Sequence, residues 1–156
     1  MTELTKDITG VRIHPPVLMA IHLAAAFLLG WLVPLPLPAS KAVIAVGWVV
    51  TLLGLGFGYG GLRQLIQAHT SPNPHAPTTS VVTTDIYRFT RNPIYMGFLC
   101  LLIGIPLIFG NYWGLILSPL QVILFNRLII QREEAYLSAK FGVEYTEYKQ
   151  KVRRWL

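Results

Sequence analysis

Two short clusters carry the chemically capable residues of this chain. The first is Arg91-Asn92-Pro93-Ile94-Tyr95-Met96-Gly97, at the start of an apolar segment. The second is Glu133-Glu134, just beyond the next apolar segment. Charged and amide side chains beside hydrocarbon are costly unless they pair or bind something. Pro93 suits the first turn of a helix, where its missing N–H costs nothing, and Asn92 is then a natural N-cap. The free amides and positive dipole end of such a helix, next to Arg91, would draw a carboxylate or phosphate. The plainer reading is an arginine that snorkels to lipid headgroups. Successive carboxylates on a helix diverge by about 100°, so one of Glu133 and Glu134 is expected to face Arg91 and the other solvent or another arginine. That pair would serve as an interfacial ion pair or as the binding group for a cationic ligand.

The elements that must position these residues are apolar helices. Hydrophobic residues make up 53% of the 156 and charged residues only 13%, beyond the usual balance of a soluble domain. The expected fold class is an all-α integral membrane protein, one domain spanning 1–156. Four spans are predicted, at about 17–33, 41–67, 93–109 and 112–130, each near the roughly 20 residues a bilayer core requires. Kinks are expected at Pro106 and near Ser118-Pro119, and the Gly110-Asn111 turn makes the last two spans an antiparallel hairpin. Gly54 with Gly58, and Gly56 with Gly60, have the spacing that lets helices approach closely or leaves room for a ligand.

The formal charge of +6 is not spread as in a nucleic-acid surface. Its lysines and arginines concentrate at Lys6 and Arg12, at Arg63, at Arg88 and Arg91, and from Arg127 to Arg154. The loops at 34–40 and 110–111 hold none. This pattern places both termini and the loop 68–92 on the cytoplasmic side of the membrane, against anionic lipid. Cys100, the single cysteine, lies in an apolar run and is expected to be a packing residue. The polar stretch 1–10 does not read as a signal peptide. His69 and His75 in the proline-rich loop have no cysteine or carboxylate cluster beside them, so no metal site is predicted. His75 is instead expected to bond within the loop or touch a ligand. From 131 to 154 a C-terminal amphipathic helix is predicted. Leu137, Phe141, Tyr145, Tyr148 and Val152 form one face, either lying on the membrane or closing as a lid.

The ordered set Tyr87, Arg91-Asn92-Pro93-Ile94-Tyr95-Met96-Gly97, Glu133-Glu134-Ala135-Tyr136-Leu137, Phe141-Gly142 and Tyr145-Thr146-Glu147-Tyr148 resembles the isoprenylcysteine carboxyl methyltransferase and phospholipid methyltransferase group of membrane enzymes. The match covers about the C-terminal half, from His69 onward. Asp85 stands where that group has glycine, and Asn92 where it has histidine. Asparagine donates and accepts hydrogen bonds but does not titrate. The resemblance implies methyl transfer from S-adenosyl-L-methionine to a lipid or prenylated acceptor, either a carboxylate or a phospholipid amine. It implies Arg91, Glu133 and Glu134 as catalytic residues. Tyr87, Asn92, Pro93, Tyr95, Glu133, Glu134, Leu137, Phe141 and His75 are implied as the cofactor site, with Tyr136 as a further aromatic face. Two alternatives stand beside it. One is a membrane reductase using NADPH, since sterol reductases carry a similar arginine-proline-tyrosine element. The other is a small lipid-binding membrane protein without activity.

Overall fold

The computed structural model describes residues 9–35, 38 and 40–156. The predicted proline turn at 34–38 and Lys6 therefore fall wholly or partly outside the described residues. Among those residues the chain is helical throughout, without a strand. Helix α1 spans Pro15–Leu32, α2 Lys41–Gln67, α3 Pro93–Ile108 and α4 Trp113–Phe125. A π-helical turn, Asn126–Ile130, joins α4 to α5 (Gln131–Phe141), and α6 (Val143–Lys151) follows. A single 3-10 turn, Asp85–Arg88, interrupts the long loop before α3.

Among the described residues, three helices are long and apolar enough to cross a membrane: α1, α2 and the continuous Trp113–Phe141 rod of 29 residues. The third expected span, α3, is apolar but has only 16 residues. It is the central helix, with α2 on one side and α1 and α4 on the other. The protein is an all-α membrane protein. Pro106 and Pro119 both lie inside continuous helix. The last rod also carries a π turn, where one extra residue per turn re-aims every side chain that follows.

The α2–α3 contact is set by glycine. Gly47, Gly54 and Gly61, two turns apart, all face α3. A Cβ at Gly47 would lie 2.7 Å from the Ile108 nitrogen, and one at Gly54 2.9 Å from the Gly97 carbonyl oxygen. From the α3 side, a Cβ on Gly104 would lie 2.6 Å from the Thr51 nitrogen. Cys100 packs at the same seam as a small residue, as expected. The glycines singled out by their four-residue spacing divide: Gly54 packs, Gly60 meets Ile86, and Gly56 and Gly58 have open space beside them.

The end of the molecule that holds the 33–40 and 109–113 connections is tied together by polar aromatic and amide groups. Trp113 Nε1 donates to the Val33 carbonyl at 2.9 Å, Tyr112 Oη to that of Pro38 at 2.8 Å, and Asn111 Nδ2 to that of Ala26 at 2.9 Å. The opposite end gathers the starts of α1 and α3, the end of α2, and α5 with α6. The predicted helix 131–154 is not one helix. Gly142, at φ 54°, breaks it in a conformation that L side chains rarely adopt.

A Gly104→Ala substitution is expected to overpack the α2–α3 seam and cost about 1–3 kcal/mol. Gly56→Ala, in open space on the same bundle, should be neutral or gain up to about 1 kcal/mol in helix propensity. Unfolding midpoints of the two variants in one detergent will show opposite signs if the seam is packed as described.

Candidate active site

Four elements converge on one carboxylate. Glu134, in the first turn of α5, is buried at 5% exposure. Arg91, just before α3, sets its Nη1 3.0 Å from Glu134 Oε1. Arg154 holds both oxygens in a fork, Nε to Oε1 at 2.9 Å and Nη2 to Oε2 at 2.6 Å. Lys149 of α6 adds a longer contact at 3.8 Å. Three cations thus surround one anion, and the cluster carries excess positive charge.

The segment 153–155 is woven into the start of α3. The Arg91 N–H donates to the Arg153 carbonyl at 3.0 Å. The Arg154 carbonyl accepts from Thr90 Oγ1 at 3.1 Å and from Asn92 Nδ2 at 2.9 Å. Trp155 Nε1 reaches Asn126 Oδ1 in the π turn at 3.2 Å, with its ring against the Phe125, Ile129 and Ile130 core. Asn92 occupies the N-cap position of α3, but its side chain does not cap the helix. It binds the 153–155 segment instead.

Glu133 plays a different part. It accepts a 2.6 Å hydrogen bond from the Tyr95 hydroxyl and makes no ion pair among the described residues. The expectation that one carboxylate would face solvent is corrected here. Both turn inward, Glu134 to the cations and Glu133 to Tyr95. Glu133 lies beyond the apolar stretch of its helix, which ends at Ile130. Removal from water pushes it up to about 7, against the lowering effect of the Tyr95 bond and with a further push from Glu134.

Both carboxylates line a cavity of about 580 Å³, within the range of small-molecule sites. Arg91, Asn92, Pro93, Tyr95, Tyr87 and Leu137 also line it. Its floor is apolar, made by Ile94 and Phe98 of α3, Gly58 and Leu62 of α2, and Pro15-Pro16 of α1. Its roof is the loop at 71–74 and 78–82, with Thr9 and His14. Arg91 is nine-tenths buried, and its Nε has no hydrogen-bond partner among the described residues.

Two predicted site residues lie off the cavity wall. The His75 ring lies tilted at 60° against that of His14 with centroids 4.4 Å apart, and its backbone N–H donates to Asn73 Oδ1. Phe141 packs behind the wall in a cluster with Tyr87, Tyr145 and Tyr148. Tyr136 faces outward, accepting from the Thr78 N–H and from Lys140. Among the described residues no group of three metal-ligating side chains occurs.

The residues that sequence reasoning passed over are Arg154, Lys149 and the 9–16 segment, while Gly58, singled out as packing or leaving room for a ligand, lines the cavity. Tyr145 and Tyr148 had been read as one face of a helix that lies on the membrane or closes as a lid. They lie on the cavity wall, as the lid reading requires, and the Tyr148 hydroxyl donates to the Tyr87 carbonyl at 2.7 Å. Burial holds the phenols of Tyr87, Tyr145 and Tyr148 above the usual tyrosine range. They act as neutral hydroxyls at any ordinary pH. Asp85, at the position where the resembled group has glycine, adopts φ 49°. That region favours glycine and tolerates Asp better than most residues, and Gln64 Nε2 donates to the Asp85 carboxylate.

A family model for phospholipid methyltransferases matches residues 42–144. The chain belongs to that family. Protein-S-isoprenylcysteine O-methyltransferase of Saccharomyces cerevisiae is 37% identical over 129 residues, covering 73% of this chain and 48% of the relative. The enzyme of that name from Schizosaccharomyces pombe is 38% identical over 72 residues, covering 46% of this chain and 30% of the relative. An uncharacterized Haemophilus influenzae protein is 43% identical over 63 residues, 40% of this chain and all of the relative. The chain thus spans half or less of these two named relatives. No solved structure matches it.

Glu134→Ala would leave Arg91 and Arg154 buried without their anion, and a loss of about 3–5 kcal/mol is expected. Glu133→Gln keeps an oxygen for the Tyr95 hydroxyl and should leave stability within about 1 kcal/mol. Chemical unfolding of the purified variants side by side will show whether the two adjacent carboxylates divide in this way.

Proposed function

We propose that this protein transfers a methyl group from S-adenosyl-L-methionine to an amphiphilic, lipid-like acceptor at the cytoplasmic surface of a membrane. The observation that carries the reading is the pairing, in one cavity, of an ion-pair-free carboxylate with an under-paired arginine above an apolar floor. A molecule with a sulfonium cation, an amino acid end and an aromatic base fits those walls. Glu133 would face the cation, and the rings of Tyr87, Tyr145 and Tyr148 add favourable aromatic surface. Leu65, Val81, Val82 and Leu137 supply an apolar bed for the base, and loop backbone groups its polar edge. When bound, the cofactor supplies an electrophilic methyl group.

The acceptor side follows from Arg91. Its unpartnered Nε, the amides at the start of α3 and the excess charge of Arg154 and Lys149 suit an anionic head. A carboxylate acceptor needs only alignment and exclusion of water. An amine acceptor would have to lose a proton, and Glu133 is the carboxylate placed to take it. Glu134 is not, because its oxygens are held by guanidinium groups. The isoprenylcysteine O-methyltransferase names of the relatives favour the carboxylate. The cation-rich end that holds the site, set against a far end where only Lys41 is charged, favours the cytoplasmic face. The membrane-reductase and inert lipid-binding readings are separated from this one by what the cavity binds and turns over.

Calorimetric titration of the purified protein with S-adenosylmethionine, and separately with NADPH, tests the reading. Heat is expected only with the first, and the opposite result would replace a transferase by a reductase. Glu133 sets the pH dependence. A cation binds the ionised form, and with a folded value of about 7 that form grows from about a tenth at pH 6 to about nine tenths at pH 8. Affinity should therefore rise by up to about tenfold across that interval, over and above any titration of the ligand itself. Glu133→Gln carries the ligand's own titration but not this rise, so the wild-type to variant affinity ratio isolates the carboxylate. A ratio that stays flat from pH 6 to 8 would remove Glu133 from the cofactor site.

A further inference from the structure

We infer that Gly58 is a size filter for the acceptor's apolar chain, an inference that rests on the proposed methyl transfer to an amphiphile and names the part of the cavity that selects it. Glycine inside a helix costs about 1 kcal/mol relative to alanine, so each one in α2 calls for a reason. Gly47, Gly54 and Gly61 have one, since a Cβ there would strike α3 at 3.0 Å or less. Gly58 does not, because a Cβ built on it meets nothing within 4 Å. The space beside it is the main cavity, whose wall it forms with Leu62, Ile94 and Phe98.

Its depth fits a chain rather than a head group. The Gly58 backbone lies against Gly97, four residues or about 6 Å past the start of α3. Phe98 lies five residues into α3, about 7 Å below the Arg91 corner. The cavity-lining side chains beside it, Leu62, Ile94 and Phe98, are apolar. An anionic head held at Arg91 would therefore send its hydrocarbon down between Phe98 and Gly58, which stand at one level. There the missing side chain keeps the passage open. The Gly58 backbone itself touches the α3 seam at Gly97, yet a Cβ at 58 points away from it into open space, so packing at that atom does not require glycine.

The test uses the full chain in one detergent and N-acetyl-S-alkylcysteines with alkyl chains of about six, ten and fourteen carbons. For wild type, affinity by calorimetry should climb with chain length, by up to about fourfold per methylene buried, until the passage ends. Gly58→Leu should reach its plateau at a shorter chain. The longest probe should then bind about tenfold or more weakly than to wild type, and the shortest within about twofold. Gly58→Ala should lie between them, and it carries the test if the leucine variant does not fold. Gly56→Leu, on the lipid-facing side two residues away, controls for bulk added to α2 and should follow wild type. Micelle partitioning is common to all variants and cancels in their ratios.

Equal weakening of all three probes by the Gly58 variants would overturn the inference, as would no weakening, the same shift from Gly56→Leu, or no probe binding to wild type. Methyl transfer is read separately, with labelled cofactor. A chain-length shift without any transfer sinks the proposed function and leaves the filter standing. Transfer with unshifted chain-length preference does the reverse.

Discussion

The Glu134 carboxylate is the point on which the described architecture depends. Arg91 precedes α3, Lys149 lies on α6, Arg154 follows it, and Glu134 itself starts α5. They come from separate stretches of the chain, and apolar clusters around Tyr87 and around Phe125 pack behind them without fixing the direction of any charge. A buried ion cluster is a poor source of net stability, because desolvating the charges offsets most of their attraction. Its value lies in geometry. A bidentate guanidinium–carboxylate fork tolerates little rotation, so Arg154 fixes the orientation of Glu134, and Glu134 in turn fixes Arg91. The carbonyls of Arg153 and Arg154 bind the Arg91 N–H, Thr90 and Asn92 at the same point. The mouth of the cavity thus takes one shape.

That arrangement requires Glu133 and Glu134 to be next to each other in sequence and unlike each other in surroundings. On a regular helix following an apolar span, one of them would have turned outward. The π turn at Asn126–Ile130 shifts the register of α5, and Trp155 holds it from outside through Asn126. Fully buried Phe125, Ile129 and Ile130 fill the bulge from within. The helical irregularity lies immediately before the two carboxylates whose directions it sets.

Most of the fold was legible because helix periods and apolar runs are local properties. So were the proline at the start of α3 and the pairing of Arg91 with a carboxylate, whereas the seven-residue recurrence of Gly47, Gly54 and Gly61 at the α3 seam was not singled out. What escaped depended on tertiary contact. Asn92 looked like a cap because its position is one, yet its amide is claimed by a carbonyl 62 residues away. Arg154 carried no sequence signal at all, since nothing distinguishes it from Arg153 until Glu134 is seen beside it. Leu137, Phe141, Tyr145, Tyr148 and Val152 were correctly grouped but assigned to one continuous helix. Gly142 breaks that helix, and the five side chains still meet in a cluster with Tyr87. Gly58 shared its four-residue spacing with Gly54, and spacing alone does not separate a glycine that packs from one that leaves a space.

The electrostatic layout bears on why a dry, low-dielectric cavity would suit the proposed reaction. A sulfonium cation meeting a carboxylate gives a thioether and an ester, so two charges enter and none remain on the reacting ends. In water, such a charge-destroying reaction is slowed by the hydration both ions must give up. A cavity that replaces water with fixed partners of the right sign removes that penalty before the reaction begins. In the proposed reading Glu133 and the Arg91 corner would provide one partner for each ion, and the ion pair with Glu134 would keep Arg91 from turning to neutralise Glu133 directly. Were the two free to pair, the cavity would hold a closed salt bridge and favour neither ligand. Glu134 occupies Arg91 through Nη1 and leaves Nε unpartnered, and that incomplete pairing is what keeps opposite charges available in one small space.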